Sequence, residues 1–339
     1  MRLLLGLIRL IVGIPVLAIT VPAVLALLGF AVPQFDLFNH LQFLLFFGTL
    51  LAFIAALVVF GRRRAMTWVA ALGFVCSAWI FVPVWLAARV PLTPETGGTT
   101  ITLMTHNLFG LNYDMARVAR VVAAENPDII ALQEYFPEQA AELDALLRPN
   151  YPYWVRCKGG RRANLGLYSR IPFAKEMAGQ DCPGAPNGQR TAHIIAGFTL
   201  ADGTHFSVMT THMDWPYPIE RQREQFAEAA AAVKAIDGPL VLVGDFNSTP
   251  WSYALRGFAT DTGLALQTHG ELTYPELVTV PSRISRDGMA AAIPFLPLDQ
   301  VFARGITVHD LHRGPATGSD HLPVIVRFSV ASARTPASP

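Results

Sequence analysis

Leu240-Val241-Leu242-Val243-Gly244-Asp245-Phe246-Asn247 is a short apolar, β-branched run that stops abruptly on polar residues. Such a run, bounded by turn-forming residues, reads as a buried strand. It follows the longest helical pattern outside the N-terminal region, residues 219–236, which Asp237-Gly238-Pro239 closes. The same juxtaposition of apolar run and polar stop recurs on both sides. Asn107 follows 101–105, Gln133-Glu134 follows 128–132, and His212 follows 207–211. Asp299 precedes 300–303, and Ser319-Asp320-His321 precedes 322–328. Strand ends are where a rigid scaffold meets its loops, and catalytic groups gather there. Each site alone has an ordinary reading: Asn107 as a cap, residues 245–250 as an Asx turn, a histidine as a packed core group. Six such ends in one domain form the signal.

Between these ends the chain alternates strand-like and helix-like patterns. Strands are predicted at 99–106, 129–133, 153–156, 165–169, 193–198, 206–211, 240–244, 301–303 and 324–328, and helices at 113–124, 139–147 and 219–236. Many strands with a few interspersed helices indicate a layered α/β sandwich rather than a bundle.

Thr105-His106-Asn107, Leu132-Gln133-Glu134, Thr210-Thr211-His212, Gly244-Asp245-Phe246-Asn247, Leu298-Asp299 and Gly318-Ser319-Asp320-His321 stand in the order and approximate spacing of the endonuclease/exonuclease/phosphatase superfamily. Residues 165–170, ending in Ser169-Arg170, and Arg190 resemble further family features. The resemblance covers about residues 99–330. It implies a DNase I-like, four-layer αββα sandwich with the active site at one rim of two packed sheets, and a Mg²⁺- or Mn²⁺-dependent phosphate-ester hydrolase. By that resemblance Glu134, Asn107 and Asp320 are candidate metal ligands, since Mg²⁺ takes one or two carboxylates and keeps several waters. Asn107 would also help position the nucleophile, and Asp245 would orient or deprotonate the attacking water. Asn247 would stabilise the transition state as a neutral donor. His321 would serve as acid or base, with its tautomer set by Asp299, and His212 would contact a phosphate oxygen. Arg190, Lys158, Arg161 and Arg162 are candidate substrate contacts; for the last three, a merely solvated basic loop reads equally well.

Working outward to the N-terminus, the composition changes. Of 339 residues, 52% are hydrophobic and only 15% charged, against about 25% in soluble domains. Residues 1–94 hold six basic side chains and one acid, net +5; residues 95–339 hold 20 and 24, net −4. This split excludes a wholly soluble enzyme, a disordered chain and a disulfide-dense scaffold, and it counts against a basic nucleic-acid module. Apolar runs at about 10–32, 41–60 and 65–88 are each long enough to span a bilayer. Residues 1–90 are thus predicted as a three-helix transmembrane anchor, 91–98 as a linker, 99–330 as the catalytic domain and 331–339 as a disordered tail. A cleaved signal peptide competes only for the first run, and two further runs follow it.

Arg2, Arg9 and Arg62-Arg63-Arg64 flank these runs, whereas residues 33–40 carry no Lys or Arg. The positive-inside rule places the N-terminus in the cytoplasm and, after three spans of a cytoplasmic membrane, the C-terminal domain outside it. Cys157 and Cys182 are the only cysteines beyond the anchor, so a disulfide and two free thiols are both open.

Location then narrows the substrate. A site tethered outside the cytoplasm meets lipid phosphates constantly, and bacterial membrane proteins of similar layout make a cell-wall lipid carrier phosphate one candidate. Residues 289–298 are apolar and could enter lipid, wall a pocket or pack on the sheet; Trp215, Tyr217 and Trp251 could line the cleft or pack beneath it. The expected partners are the bilayer and a phosphate-ester substrate, with nucleic acid only as a substrate and no protein partner indicated. An extracytoplasmic nuclease and a non-catalytic lipid-binding module are the competing readings.

Overall fold

The computed structural model describes residues 2–95, 99–157, 159–174, 191–279 and 289–330. Lys158, Cys182 (and with it the choice between a disulfide to Cys157 and two free thiols), Arg190 and the tail 331–339 lie outside them. The chain forms two compact units: Met1–Val90 with Thr249–Gly257, and Pro91–Ser248 with Phe258–Pro339.

In the first unit, α1 (Arg2–Ala26) leads through a 3-10 turn (Leu27–Phe30) to the short α2 (Pro33–Asp36). A second 3-10 turn (Leu37–Leu41) enters α3 (Gln42–Phe60), and α4 (Ala65–Ala87) follows. Three helical stretches, Leu3–Phe30, Pro33–Phe60 and Ala65–Ala87, are long and apolar enough to cross a membrane. The first begins well before the expected residue 10, because Arg9 interrupts the hydropathy but not the helix. It ends before Pro33, which holds Val32 extended. The helices approach closely at glycines: a Cβ on Gly48 would lie 2.2 Å from Ile19 Cδ1, and one on Gly73 would lie 2.7 Å from Thr20 Oγ1. Large apolar side chains such as Leu51, Val58, Trp68 and Trp79 face outward.

The second unit pairs two mixed sheets. β1 (Thr100–Asn107), α5 (Met115–Glu125), β2 (Ile129–Gln133), α6 (Pro137–Leu147), β3 (Tyr153–Cys157) and β4 (Leu165–Ser169) come first in the chain. β5 (His193–Thr199), β6 (His205–His212), α7 (Ile219–Lys234), β7 (Leu240–Asp245), α8 (Tyr253–Thr262) and β8 (Ala265–Leu266) follow. A small β9–β10 hairpin (Leu277–Thr279, Met289–Ala291) precedes β11 (Asp299–Arg304), β12 (Ile306–Arg313) and β13 (Val324–Val330). One sheet runs β12-β13-β1-β2-β4-β3 and the other β5-β6-β7-β11-β8. Only β1–β2 and β6–β7 pair in parallel among the larger-sheet neighbours.

Alternate residues of each strand face the other sheet. Ile101, Leu103, Ile129, Ala131, Val326 and Phe328 meet Ile194, Val208, Val241, Val243 and Val301 in the inter-sheet core. The opposite face of the first sheet, with Met104, Ile130 and Leu132, packs on Val118, Val122 and Leu143 of α5 and α6. Beyond the second sheet, Phe226 of α7 and Phe258 of α8 close on Phe246 and Phe302. The layers are therefore helix, sheet, sheet, helix. Strands covered on both faces read as continuous apolar runs, which is why most were visible in the sequence.

Candidate active site

Register brings the polar strand ends into rows. In the first sheet Asn107 on β1 pairs with Gln133 on β2, whose next residue is Glu134. In the second, Asp245 on β7 lies opposite both His212 on β6 and Asp299 on β11. A hydrogen bond joins the two rows: Asn107 Nδ2 donates to Asp245 Oδ2 at 2.9 Å. Residues 138 positions apart thus meet across the sandwich.

Asp245 is the hub. Its Oδ1 accepts the Asn247 amide at 2.8 Å, and its Oδ2 lies 3.4 Å from His212 Nε2 and 3.7 Å from His321 Nε2. Burial opposes its charge, but His321 and His212 outweigh burial and hold the carboxyl well below the usual range. Gly244, just before it, has φ +148°; a Cβ there would lie 2.0 Å from the Thr211 carbonyl oxygen, so only glycine lets β7 run this close to β6. Asn247 adopts φ +46°, a left-handed conformation that asparagine tolerates, and donates through Nδ2 to the Met213 carbonyl at 2.9 Å. Its Oδ1 is buried without a partner among the described residues.

His321 Nδ1 is 2.8 Å from Asp299 Oδ2, the pairing expected from the sequence. Burial disfavours the imidazolium, yet Asp299, Asp245 and Asp320 push its pKa up to about 10. Asp320 is raised to about 6, chiefly by burial, with Glu134 and Asp245 adding to the rise against the opposing pull of His321. Its Oδ1 is also buried and unpartnered among the described residues. Glu134, at φ +52°, accepts the Gly110 amide at 2.9 Å through Oε2, while Oε1 is 3.5 Å from Asn107 Nδ2. A non-glycine residue held in that region is characteristic of a functional position.

The site concentrates carboxylates around few cations. Asp245, Asp299 and His321 can offer ligand atoms within 4.8 Å of one another. However, Asp299 and His321 are committed to each other by their hydrogen bond. The oxygen-rich side, with Glu134, the unpartnered Asp320 Oδ1 and Asn107, better suits a hard divalent cation.

Other expected residues are placed differently. Arg162 Nε pairs with Asp214 at 2.6 Å and Arg161 with Glu224 at 3.4 Å, so both guanidinium charges are offset by acids. Lys158 and Arg190 fall outside the described residues. Trp251 belongs to the first unit, where it is buried and stacked on Phe81 at 5.5 Å. Trp215, in contrast, sits edge-on to Tyr274 at 5.7 Å, and the Tyr274 ring lies 4.8 Å from that of His321. Tyr217 is exposed. Of the apolar stretch 289–298, Leu296 and Leu298 are buried, whereas Ile293 is 88% exposed.

The sequence did not single out Tyr274, which lies in a loop without periodic pattern. Ser319 was visible only as part of a motif. Its Oγ donates to the Asn107 carbonyl at 2.7 Å and accepts the His321 amide at 3.0 Å, tying the connection between β12 and β13 to the end of β1.

A family model described as Endonuclease/Exonuclease/phosphatase family matches residues 104–321, a span that starts in β1 and ends on His321. The chain belongs to this family. Its members are hydrolases of phosphate esters. The UPF0294 protein of Vibrio cholerae is 32% identical over 136 residues, 40% of this chain and 44% of that protein. The match thus spans less than half the length of the curated relative. A solved endonuclease/exonuclease/phosphatase from Bacteroides vulgatus superposes with a TM-score of 0.54 and 20% identity, covering 69% of this chain and 100% of that one. The mannosyl-6-phosphatase of Bacteroides thetaiotaomicron gives 0.51 and 18%, covering 68% and 99%. These structures share the DNase I-like fold.

Proposed function

We propose that the protein is a membrane-anchored, divalent-metal-dependent phosphoesterase acting outside the cytoplasm on a lipid or other small phosphate ester. The observation that carries this reading is the junction at Asp245, where Asn107 and His321, from strand ends of the first sheet, and His212 and Asn247, from the second, converge on one carboxylate. Glu134, Asp320 and Asn107 would hold Mg²⁺ or Mn²⁺, which supplies charge neutralisation at a phosphate oxygen when bound.

The remaining chemistry belongs to the protein's own side chains. Asp245, fixed by several donors and held ionised, orients the attacking water; a carboxyl with so low a pKa is a poor proton acceptor. His321, charged and braced by Asp299, presents Nε2 to the reacting centre and can donate a proton to a leaving oxygen. Asn247 and His212 offer further donors to the developing charge of the transition state. Trp215 and Tyr274 form an aromatic wall beside His321 that suits a substrate with an apolar portion.

The location rests on the arginine distribution and the three apolar helices. The lipid preference rests on the aromatic wall, the exposed Ile293 and the net −4 charge of residues 95–339, which disfavours tight phosphate-backbone binding. The mannosyl-6-phosphatase likeness makes a sugar phosphate a further small-ester candidate.

The test is Mg²⁺- or Mn²⁺-dependent release from phospholipids, polyprenyl phosphates, sugar phosphates and plasmid DNA by the full chain in detergent, beside Glu134→Ala. Turnover of a lipid or small ester, abolished by EDTA and by the substitution, is expected. Plasmid nicking without turnover of those esters would make the protein a nuclease instead.

A further inference from the structure

The connection between α1 and α3 carries a polar chain that the phosphoesterase reading does not use. Ser77 Oγ donates to Gln42 Oε1 at 2.9 Å, Gln42 Nε2 to Asn39 Oδ1 at 3.0 Å, and Asn39 Nδ2 to Asp36 Oδ1 at 2.8 Å. All four side chains are buried. A buried carboxylate is costly unless its lone pairs are filled, and what fills those of Asp36 comes from more than 200 residues away. Its Oδ1 accepts the Tyr253 amide at 2.8 Å; its Oδ2 accepts the Ala254 amide at 3.0 Å and the Ser252 hydroxyl at 3.2 Å.

These are the first residues of α8, and a helix begins with four amides lacking intrahelical partners. Two of them are satisfied locally: Ser252 N donates to the Thr249 carbonyl at 3.0 Å and Leu255 N to the Ser252 Oγ at 3.1 Å. Asp36 satisfies the other two. The adjoining residues are held in the same unit. Thr249 Oγ1 donates to the Asn39 carbonyl and Thr249 N to His40 Nδ1, each at 3.3 Å, while Tyr253 Oη donates to the Leu27 carbonyl at 3.2 Å. Trp251 stacks on Phe81.

Thr249 follows Asn247 by two positions in the chain. We propose that Asp36, with Asn39, is a positioning residue: it caps α8 from the helical unit and pins residues 249–254, fixing the exit of the Asp245–Asn247 loop. The catalytic consequence rests on the phosphoesterase reading; the clasp itself does not.

The experiment compares the full chain in detergent with Asp36→Ala, Ser252→Ala and, as a control at the far end of the polar chain, Ser77→Ala. Two readouts are taken: amide exchange of residues 249–256, and Mn²⁺-dependent hydrolysis of bis(p-nitrophenyl) phosphate. Loss of a cap is expected to speed exchange at Tyr253 and Ala254 in Asp36→Ala and to lower kcat about tenfold with KM unchanged. Ser252→Ala shifts both in the same direction by less, and Ser77→Ala leaves both as in the wild type. Unchanged exchange in Asp36→Ala overturns the clasp. Faster exchange with wild-type kcat overturns the positioning role. A wild-type chain that hydrolyses no phosphate ester contradicts the phosphoesterase reading, while the exchange data still decide whether the clasp exists.

Discussion

In the helical unit Leu51, Val58, Trp68 and Trp79 face outward, while Asp36, Asn39, Gln42 and Ser77 are buried. In the sandwich Phe198, Phe302 and Phe328 are fully buried, and polar groups concentrate at one rim. The first pattern suits lipid and the second suits water. The more instructive difference lies in how each unit treats its buried polar atoms. Asp36, Asn39, Gln42 and Ser77 of the helical unit form an unbroken chain of mutual hydrogen bonds, and Thr20 Oγ1 and Trp251 Nε1 are the isolated exceptions there among the described residues. The rim leaves Asn247 Oδ1 and Asp320 Oδ1 without partners among the described residues. A satisfied network builds structure, whereas unfilled lone pairs at a cluster of carboxylates are capacity for a ligand.

The largest expected effect follows from that capacity. Glu134→Ala and His321→Ala should each lower kcat by about 10² to 10⁴-fold, with little change in unfolding midpoint for Glu134→Ala, as checked by steady-state kinetics beside a thermal melt. If activity survives, the rim is no more functional than the helical network and the contrast fails.

A core substitution sharpens the comparison through solvation. Phe328, fully buried between the sheets, should cost about 3–5 kcal/mol when replaced by alanine, read as a lowered urea midpoint for the β1 amides in hydrogen exchange. Outward-facing Val58→Ala, 80% exposed, should shift stability in detergent by less than about 0.5 kcal/mol.

An intermediate effect is expected at Asp144, which accepts hydrogen bonds from Tyr135 Oη and Tyr168 Oη. Burial works against its charge, but the two hydroxyls and Arg148 hold its carboxyl below the ordinary range. A carboxyl depressed in the folded state contributes stability that is present above its unfolded pKa and lost as pH falls through the folded value. The sandwich should therefore lose stability on acidification below about pH 4. Asp144→Asn should cost about 1–3 kcal/mol at neutral pH and flatten that acid slope, as measured by denaturant melts across pH.

The strands covered on both faces were legible because burial forces continuous apolar runs, and β2 and β4 carry the bounds expected for them. β12 was missed: as an edge strand with half-exposed Thr, His, Asp and Arg residues and a register shift between Val308 and Asp310, it has neither a run nor a clean alternation. α8 was missed because Gly257 and three threonines or aspartates weaken its local propensity, and because half of its N-terminal satisfaction comes from Asp36. At the site, residues that end strands could be read one by one. Tyr274, which reaches His321 from a loop, could not, since only tertiary structure brings the two rings together.

The account stands on Glu134, Asn107 and Asp320, at strand ends of the first sheet, forming a divalent-cation centre beside the Asp245 carboxylate to which Asn107 is hydrogen-bonded. Anomalous diffraction from crystals of the full chain grown with Mn²⁺ tests this most directly. The expected result is a Mn²⁺ peak within coordination distance of the Glu134 carboxylate, with Asp320 or Asn107 as a second protein ligand, and no peak in Glu134→Ala. Crystals of the wild-type chain with saturating Mn²⁺ and no ordered ion at this rim would contradict it.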